Sequence, residues 1–326
     1  HLLEHVQLWD VAVERQVEIV GPDALKLVEL ITPRDLSKLS VGQGKYAPLC
    51  DENGGIINDP IILRLEEDRF WLSIADSDVN LWVKGVSYGR GFNVKVFEPD
   101  VSPLAIQGPK SDDLMADVVG EHTRDIRFFW FIDAVIAGTP VKIQRSGWSG
   151  QGGFEVYLQD SSKGDDLWDI FWEAGKKYNI RAGTPNLIER IETGLKSYGS
   201  DMTIESDPFE SGLERYIDLD KQAEYMSREA LHRISEIGSQ KRLVNLMIEG
   251  EPLPGMRSVW PVISNEGSNV GMVTSQAFSP RLNSCIAFAI IESSYAEVGG
   301  TVSINAESDI RSAQICDLSW NGRLKK

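Results

Sequence analysis

Residue types on which several classes of function depend are scarce in this chain. Its 326 residues include three cysteines, which are far apart in the sequence, and four histidines, which include no pair typical of a metal site. Isolated cysteines give neither a disulfide framework nor the paired spacing of a zinc site. The sequence therefore predicts a protein of a reducing compartment, the cytoplasm, and predicts that no metal is bound.

Long apolar runs and an excess of positive charge are also missing. The chain has no uninterrupted apolar stretch of the roughly 18 residues that a membrane-spanning helix needs. It has 33 Lys and Arg against 49 Asp and Glu, a net charge of −16. Nucleic-acid binding needs clustered basic residues that neutralise phosphates, so a nucleic acid is not an expected partner. Because the long apolar run is missing, a membrane is not an expected partner either. No targeting segment is visible, although His1 is typical of a trimmed start.

Common nucleotide-binding and hydrolase motifs are incomplete. Gly42-Gln-Gly44-Lys45 lacks the later glycine of a dinucleotide fingerprint and the spacing of a phosphate-binding loop. Ser149 directly precedes Gly150, so the strand-to-helix elbow of a serine hydrolase is not formed. The sequence therefore disfavours NAD, ATP and serine-hydrolase chemistry.

The composition is that of a folded protein, with 42% hydrophobic and 9% aromatic residues. Helical spacing predicts helices at 23–31, 78–88, 112–119 and 165–178, and another opened by Thr184 and Pro185. Asn53-Gly54 predicts a hairpin between strands at 45–50 and 56–65. Strands dominate after about residue 240. An α+β fold follows, with a small α+β domain at 48–98 and an antiparallel β barrel at 240–326.

A glycine-rich segment at 145–158 runs into a strand with two unlike faces. Successive strand residues point to opposite sides, so Glu155 and Tyr157 share one face. The apolar side chains share the other face: Phe154, Val156 and Leu158. If the polar face lines a cavity, these two groups beside Trp148 could hold a flat polar heterocycle. The alternative is an ordinary hairpin whose polar face meets water.

Asp59 is a second candidate. In a continuous strand it would share a mostly apolar face with Ile57 and Ile61, which is costly for a charge without a partner or a function. Pro60 removes a strand donor and indicates an edge or bulge. An aspartate satisfied by turn amides is an equally good interpretation.

Four aromatic residues are candidates for a cage around a positively charged methyl donor: Tyr46, Trp71, Trp148 and Tyr157. A sulfonium or quaternary ammonium gains about 0.5–2 kcal/mol from such a face. Core packing is the alternative, and it is favoured for Trp71.

Six segments in chain order resemble motifs of the tetrahydrofolate-dependent aminomethyltransferases, the family of the glycine-cleavage T-protein. They are Trp9-Asp10-Val11, Asn53-Gly-Gly-Ile-Ile-Asn-Asp59, Ala105-Ile-Gln-Gly-Pro109, Gly153-Phe-Glu155, Arg190-Ile-Glu-Thr-Gly194 and Pro208-Phe-Glu-Ser-Gly-Leu213. The resemblance implies a three-domain ring with a central folate channel. Its folate-binding domain would be discontinuous, at 1–47 and 99–235.

Four further segments are similar to the branch of this family that demethylates dimethylsulfoniopropionate. They are Glu14-Arg-Gln-Val-Glu18, Ser73-Ile-Ala-Asp-Ser-Asp78, Ser146-Gly-Trp-Ser149 and Pro185-Asn-Leu-Ile-Glu-Arg190. The chain has Trp148-Ser-Gly-Gln151 where the T-protein usually has Tyr-Thr-Gly-Glu, and Asn58 where it often has aspartate. Both departures count against aminomethyl-lipoyl chemistry.

The resemblance also implies residue roles. Glu155 would bind the pterin, with Trp148 and Tyr157 lining the same pocket, and Asp59 would act catalytically beside the folate nitrogen that receives the methyl. Tyr46 and Ser73 would contact the substrate.

The implied partners are tetrahydrofolate as methyl-accepting cosubstrate and a small sulfonium substrate, with a homodimer as the expected assembly. Arg34, Lys45 or a backbone amide could hold the substrate carboxylate. Two alternatives stay open: a methylamine or aminomethyl-lipoyl donor, and a noncatalytic folate-binding protein. Relatives of the last kind usually carry a cysteine in the glycine-rich loop, and residues 145–158 contain none.

Overall fold

The computed structural model describes residues 1–74, 78–307, 309–317 and 320. Residues 75–77, which belong to the 73–78 segment of the narrower resemblance, lie outside the described residues. The chain forms two compact units. Unit 1 comprises His1–Leu49, Asn58–Pro185 and Lys221–Tyr225, and unit 2 comprises Cys50–Ile57, Asn186–Asp220 and Met226–Lys326. The three-domain division stays a prediction.

The described residues form helices and strands in alternation, and then mainly strands. The helices are Ala24–Ile31 (α1), Val79–Arg90 (α2), Ser111–Val118 (α3), Gly164–Gly175 (α4), Leu187–Thr193 (α5) and Arg228–Ile237 (α6). Short 3₁₀ segments are Glu121–Asp125, Ser161–Lys163, Lys176–Tyr178, Glu214–Tyr216 and Ser293–Tyr295. The first strands are Gln7–Asp10 (β1), Gln16–Val20 (β2), Gln43–Tyr46 (β3), Leu49–Cys50 (β4), Ile56–Asn58 (β5), Ile61–Glu66 (β6), Arg69–Ser73 (β7), Lys95–Phe97 (β8), Ser102–Gln107 (β9), Phe131–Ile136 (β10), Thr139–Gln144 (β11), Gly153–Leu158 (β12) and Arg181–Gly183 (β13). The remaining strands are Lys241–Ile248 (β14), Trp260–Ile263 (β15), Asn269–Ser279 (β16), Ser284–Glu292 (β17), Thr301–Ala306 (β18) and Asp309–Cys316 (β19). The predicted helices are confirmed, with ends shifted by a few residues.

The larger sheet of unit 1 has six strands in the order β10-β11-β12-β9-β1-β13. Neighbouring strands are antiparallel except β1 and β13. Phe154, Val156 and Leu158 of β12 belong to a core cluster with Leu114 of α3 and Phe171 of α4. The predicted division of β12 into two faces is therefore confirmed.

The smaller sheet of unit 1 has five antiparallel strands in the order β3-β6-β7-β2-β8. Leu63 and Trp71 of this sheet form a buried cluster with Phe131 and Tyr157 of the larger sheet. The polar face of β12 thus meets protein instead of bulk water, and the hypothesis of a wet hairpin is wrong.

The predicted strand over 56–65 is broken. β5 ends at Asn58 and β6 begins at Ile61, so Asp59 and Pro60 lie between two strands. Proline has no N–H to donate to a sheet and disfavours regular strand pairing. The expectation that Asp59 shares a strand face with Ile57 and Ile61 was wrong for this reason.

The tip of the predicted hairpin is present. The amide of Gly54 donates to the Asp51 carbonyl at 3.1 Å, and Gly54 has φ +87°. This backbone conformation favours glycine, in agreement with the turn predicted from Asn53-Gly54.

The C-terminal part of unit 2 is a closed barrel with strand order β14-β17-β16-β15-β18-β19. All of its pairings are antiparallel, which confirms the predicted barrel.

The Arg190 guanidinium of α5 is buried between the side chains of Asp201 and Ser275. Within the described residues, no helix combines the length and the apolar character needed to cross a membrane.

Candidate functional site

The glycine-rich loop before β12 is held in a conformation that only glycine adopts readily. Gly147 has φ +147°, and a Cβ there would lie 2.1 Å from side-chain atoms of Gln107. Gly153 has φ +147° as well, and its Cβ would lie 2.3 Å from the carbonyl oxygen of Ile106. The loop backbone therefore lies directly against β9, at an approach that only residues without a Cβ allow.

Gln107 fastens this loop. Its Oε1 accepts a hydrogen bond from the Ser149 hydroxyl at 2.7 Å, and its Nε2 donates to the Ser146 carbonyl at 3.2 Å. Gln107 is fully buried. It lies in one of the segments that carry the family resemblance, but sequence reasoning assigned it no role.

Glu155 is the central charged group of the polar face. It is 7% exposed, and its Oε2 accepts hydrogen bonds from the Ser146 hydroxyl and from the Tyr157 hydroxyl, the latter at 3.2 Å. Within the part of the chain that the structure describes, Oε1 accepts no hydrogen bond. Burial raises the pKa of the Glu155 carboxyl, and the two hydroxyl donors oppose that rise. One carboxylate oxygen is thus anchored and the other is available to a ligand.

Tyr157 connects Glu155 with the smaller sheet. Its hydroxyl lies 3.1 Å from Oε1 of Gln144, and its ring lies 5.9 Å from that of Trp71 on β7. Burial, followed by the charges of Glu155 and Glu14, raises the pKa of Tyr157 well above its usual value. The residue therefore remains a neutral phenol. Because a phenol has one hydrogen, it can donate to Glu155 or to Gln144 but not to both at once.

Tyr46 and Asp59 form a second group. The Tyr46 hydroxyl donates to Oδ2 of Asp59 at 2.8 Å, and the amide of Asp59 donates to Oδ1 of Asn58 at 2.9 Å. Gly44 precedes Tyr46 on the same face of β3, and a Cβ at Gly44 would lie 2.5 Å from Nε2 of Gln144. The strand that carries Tyr46 therefore runs against the side chain that contacts Tyr157.

The aromatic candidates have different surroundings. Trp71 is 1% exposed and donates from Nε1 to Oε2 of Glu18 at 2.8 Å, so it is a core residue, as favoured from the sequence. Its ring lies 5.9 Å from that of Tyr157. Trp148 is half-buried in the glycine-rich loop, between Gly147 and Ser149. The described contacts join Glu155 to Tyr157 and Tyr46 to Asp59. Ser73 lies at the end of β7, two residues after Trp71.

Sequence reasoning missed several polar neighbours of Glu155. Gln144 faces Glu155 across the β11–β12 pairing, and Lys142 faces Tyr157. Directly opposed residues on paired strands lie on one face of a sheet. A prediction of the β11–β12 register would therefore have identified Gln144 and Lys142 from the sequence. Ser146 follows β11 by two residues and offered no comparable signal.

Glu14 is a further missed residue. It lies in a tight turn before β2, where its amide donates to the Val11 carbonyl at 2.8 Å. The side chain is half-buried, and removal from bulk water, with the nearby Glu155 charge as a second cause, raises its pKa to about 8. A turn residue has no periodic signal, so the sequence alone did not single out Glu14.

The surroundings of the basic residues do not single out one of them. Nζ of Lys45 donates to the Asp35 carbonyl at 3.0 Å. At Arg34 the backbone carbonyl, and not the guanidinium, accepts from Nζ of Lys221 at 3.1 Å. Lys142 is buried against Trp71 and pairs with Asp133. These contacts do not select one cation for the substrate.

The arrangement suits a planar ligand with several N–H groups. A buried carboxylate with a free oxygen accepts such donors, and the neutral phenol beside it adds a polar hydroxyl. The Tyr46–Asp59 pair offers a second carboxylate for holding or accepting a proton. In the described part of the chain, no cluster of His, Cys, Asp and Glu could hold a metal ion.

Comparison with known proteins agrees with the sequence motifs. The family model of the GCVT N-terminal domain matches residues 1–221, and that of the glycine cleavage T-protein C-terminal barrel domain matches residues 241–320. The chain is 43% identical to the dimethylsulfoniopropionate demethylase DmdA of Ruegeria pomeroyi, over 98% of this chain and 87% of the relative. It is 30% identical to an aminomethyltransferase of Bacillus pumilus, over 98% of this chain and 88% of the relative.

A solved structure shows the same fold. The glycine cleavage system aminomethyltransferase T of Bartonella henselae superimposes with a TM-score of 0.89 and 23% sequence identity, covering 100% of this chain and 89% of that one. The predicted α+β fold of T-protein type, with its C-terminal antiparallel barrel, is confirmed.

Proposed function

Because the chain belongs to the glycine-cleavage T-protein family of tetrahydrofolate-dependent aminomethyltransferases, we propose that it demethylates dimethylsulfoniopropionate. The relative that bears this activity in its name shares 43% of its residues with the chain, against 30% for the aminomethyltransferase of Bacillus pumilus. The proposed reaction transfers a methyl cation from the sulfonium to N5 of tetrahydrofolate. Its products are 3-methylthiopropionate, 5-methyltetrahydrofolate and one proton.

The observation that carries this proposal is the state of Glu155. Its Oε2 is anchored by Ser146 and Tyr157, while Oε1 accepts no hydrogen bond from the described residues. A pterin presents an amino group and a ring N–H side by side. An ionised carboxylate is acceptor-only, so Glu155 fits this edge of a folate. Tetrahydrofolate supplies N5 as the methyl-accepting nucleophile when it is bound.

The chain's own residues would mainly position the reactants. A neutral thioether is a good leaving group, so sulfur needs no general acid. Alignment of nucleophile, methyl carbon and sulfur is then the main source of rate enhancement. Trp148 and Tyr46 supply aromatic surface to the sulfonium cation, and Ser73 would contact the substrate.

Asp59 would hold or accept the proton that N5 loses when it is methylated. Its carboxylate is fixed by the hydroxyl of Tyr46 at 2.8 Å. A carboxylate positioned in this way acts directly or through one water. The role of Asp59 is therefore that of a base, separate from the pterin anchor at Glu155.

The reaction is tested by incubating the protein with dimethylsulfoniopropionate and tetrahydrofolate and separating the folates by liquid chromatography. Stoichiometric formation of 5-methyltetrahydrofolate and 3-methylthiopropionate is expected. Parallel reactions contain betaine or dimethylglycine as the methyl donor. Product from those donors alone would move the assignment to an amine demethylase of the same fold, and no product from any donor would contradict methyl transfer.

A further inference from the structure

Two hydroxyl groups at the polar face of β12 lie between the same two acceptor oxygens. The Tyr157 hydroxyl is 3.2 Å from Oε2 of Glu155 and 3.1 Å from Oε1 of Gln144. The Ser146 hydroxyl contacts Oε2 of Glu155 more closely and lies 3.3 Å from Oε1 of Gln144. All four side chains are buried, and Gln144 is directly opposite Glu155 in the β11–β12 pairing. Each hydroxyl hydrogen therefore has two possible acceptors.

The orientation of the Gln144 amide is fixed by its other neighbour. Nε2 of Gln144 donates to the Phe129 carbonyl at 3.4 Å. A carbonyl only accepts hydrogen bonds, so the amide nitrogen faces Phe129 and the amide oxygen faces the two hydroxyls. Gly44 leaves room for this nitrogen, because a Cβ at Gly44 would lie 2.5 Å from it. Oε1 of Gln144 is thus held in place as an acceptor.

The second carboxylate oxygen of Glu155 has no spare capacity while both hydroxyls donate to it. A carboxylate oxygen has about two lone-pair sites, and Ser146 and Tyr157 occupy both of them on Oε2. The proposed ligand edge of a pterin carries two N–H groups side by side, which match the two oxygens of one carboxylate. One hydroxyl must then leave Oε2 before a second N–H can bind there.

We propose that Gln144 is a positioning residue for folate binding, whose Oε1 takes the Tyr157 hydrogen and so opens Oε2 of Glu155 to the pterin. This inference rests on the proposed folate-binding role of Glu155. Both acceptors are already within hydrogen-bond distance of the Tyr157 oxygen, so a rotation about its C–O bond is sufficient. Glu155 then binds with both oxygens, and the buried phenol is not left without an acceptor.

The distances select Tyr157 as the hydroxyl that turns. Its oxygen is almost equidistant from the two acceptors, at 3.1 Å from Gln144 and 3.2 Å from Glu155. The Ser146 hydroxyl is clearly nearer to Glu155 than to Gln144, from which it is 3.3 Å away. Ser146 therefore stays as the permanent anchor of Oε2, and Tyr157 changes its acceptor.

A double-mutant cycle tests this role. The dissociation constant of tetrahydrofolate is measured anaerobically by calorimetry for wild type, Gln144→Leu, Tyr157→Phe and the double variant. Gln144→Leu alone should raise the dissociation constant about tenfold, because the Tyr157 hydrogen loses its alternative acceptor. In the Tyr157→Phe background the same change should have an effect within about twofold, because no hydrogen needs that acceptor. Equal effects in both backgrounds would show that Gln144 only supports the fold, and would overturn the proposal.

Gln159→Leu is the matched control. Gln159 is half-buried and follows β12 directly, outside the group of four side chains. This variant should bind tetrahydrofolate as wild type does, and circular dichroism checks that every variant is folded.

A spectroscopic test keeps the Gln144 side chain in place. Protein labelled with ¹³C at glutamine Cδ is saturated with tetrahydrofolate, as wild type and as Tyr157→Phe. The Gln144 carbonyl resonance should move in wild type, where Oε1 gains a donor, and should stay in Tyr157→Phe. A resonance that stays in wild type, or that moves equally in both proteins, would contradict the change of acceptor.

Glu155→Ala separates failure of this proposal from failure of the proposed function. If Glu155→Ala binds tetrahydrofolate as wild type does, the folate site itself is misplaced and Gln144 has no role in binding. If Glu155→Ala loses binding while the cycle shows equal effects of Gln144→Leu in both backgrounds, the folate site stands and the role of Gln144 is refuted.

Discussion

The Tyr157 hydroxyl lies 3.2 Å from Oε2 of Glu155, two positions earlier on the same strand. Alternate strand residues point to one side, so this contact follows from local geometry alone. Burial makes it consequential, because Tyr157 is 1% exposed and Glu155 is 7% exposed. A charge so far from water needs donors, and Tyr157 is one of two that the protein provides.

Replacing Tyr157 with phenylalanine should therefore weaken the ligand site without destroying the fold. The variant removes one donor to Glu155, and a hydrogen bond to a charged group contributes about 1.5–3 kcal/mol. The pKa of Glu155 should rise, and tetrahydrofolate affinity should fall about 10- to 100-fold. Isothermal titration calorimetry measures the affinity, and circular dichroism checks the fold. Unchanged affinity in a folded variant would refute the supporting role of this hydroxyl.

The Tyr46–Asp59 pair should affect turnover more than binding. Asp59→Asn removes the proposed base, and general base catalysis typically contributes a factor of about 10²–10⁴. We expect kcat to fall within that range while KM for tetrahydrofolate changes little. Tyr46→Phe removes only the hydrogen bond that holds the Asp59 carboxylate, so it should lower kcat less than Asp59→Asn does. A loss confined to KM in Asp59→Asn would show that Asp59 binds substrate instead of handling a proton.

Gly147→Ala should destabilise the protein through two separable effects. Alanine is strained at φ +147°, and its Cβ would lie 2.1 Å from Gln107. Gly138→Ala is the matched control, since Gly138 has φ +84° and no atom within 4 Å of its added Cβ. Backbone strain of this kind costs about 1–3 kcal/mol. Urea unfolding should show a larger decrease in the free energy of unfolding for Gly147→Ala than for Gly138→Ala. Equal decreases would mean that the Gln107 side chain moves aside without destabilising the protein.

The stability of the protein should depend on Glu14 and on pH. Burial raises the pKa of Glu14 from its usual 4.5 to about 8 in the folded state. Between these values the unfolded chain has released the proton and the folded chain still holds it. The free energy of unfolding should therefore fall as pH rises through this window, by at most about 1.4 kcal/mol per pH unit.

Glu14→Gln removes that dependence. Urea unfolding at pH 5, 6, 7 and 8 should show a stability difference, variant minus wild type, that grows with pH and levels off above about pH 8. A difference that stays constant across this range would mean that Glu14 titrates normally in the folded protein.

The sequence predicted those parts of the fold and the site that depend on local periodicity. Alternation along β12 separated Glu155 and Tyr157 from the apolar face, and helical spacing placed the helices within a few residues. Periodicity failed at Asp59, where Pro60 interrupts the strand between β5 and β6. The pattern of apolar residues does not show such a break, because apolar and polar residues can keep alternating in the sequence. They do so even where the backbone no longer pairs with a neighbouring strand.

Contacts between elements far apart in the chain were beyond this kind of reasoning. Trp71 of β7 packs against Tyr157 of β12, with the two ring centroids 5.9 Å apart. Gln107 fastens the glycine-rich loop through Ser149, 42 positions away. Both relationships depend on strand order and register, which a single sequence does not state.

The most direct measurement is the affinity of Glu155→Ala for tetrahydrofolate, compared with wild type and with Glu52→Ala, in proteins shown to be folded. We expect a loss of at least about 100-fold in Glu155→Ala, since the hydrogen bonds to a buried charge are removed, and no change in Glu52→Ala. Wild-type affinity and turnover in Glu155→Ala would contradict the claim that this carboxylate holds the pterin.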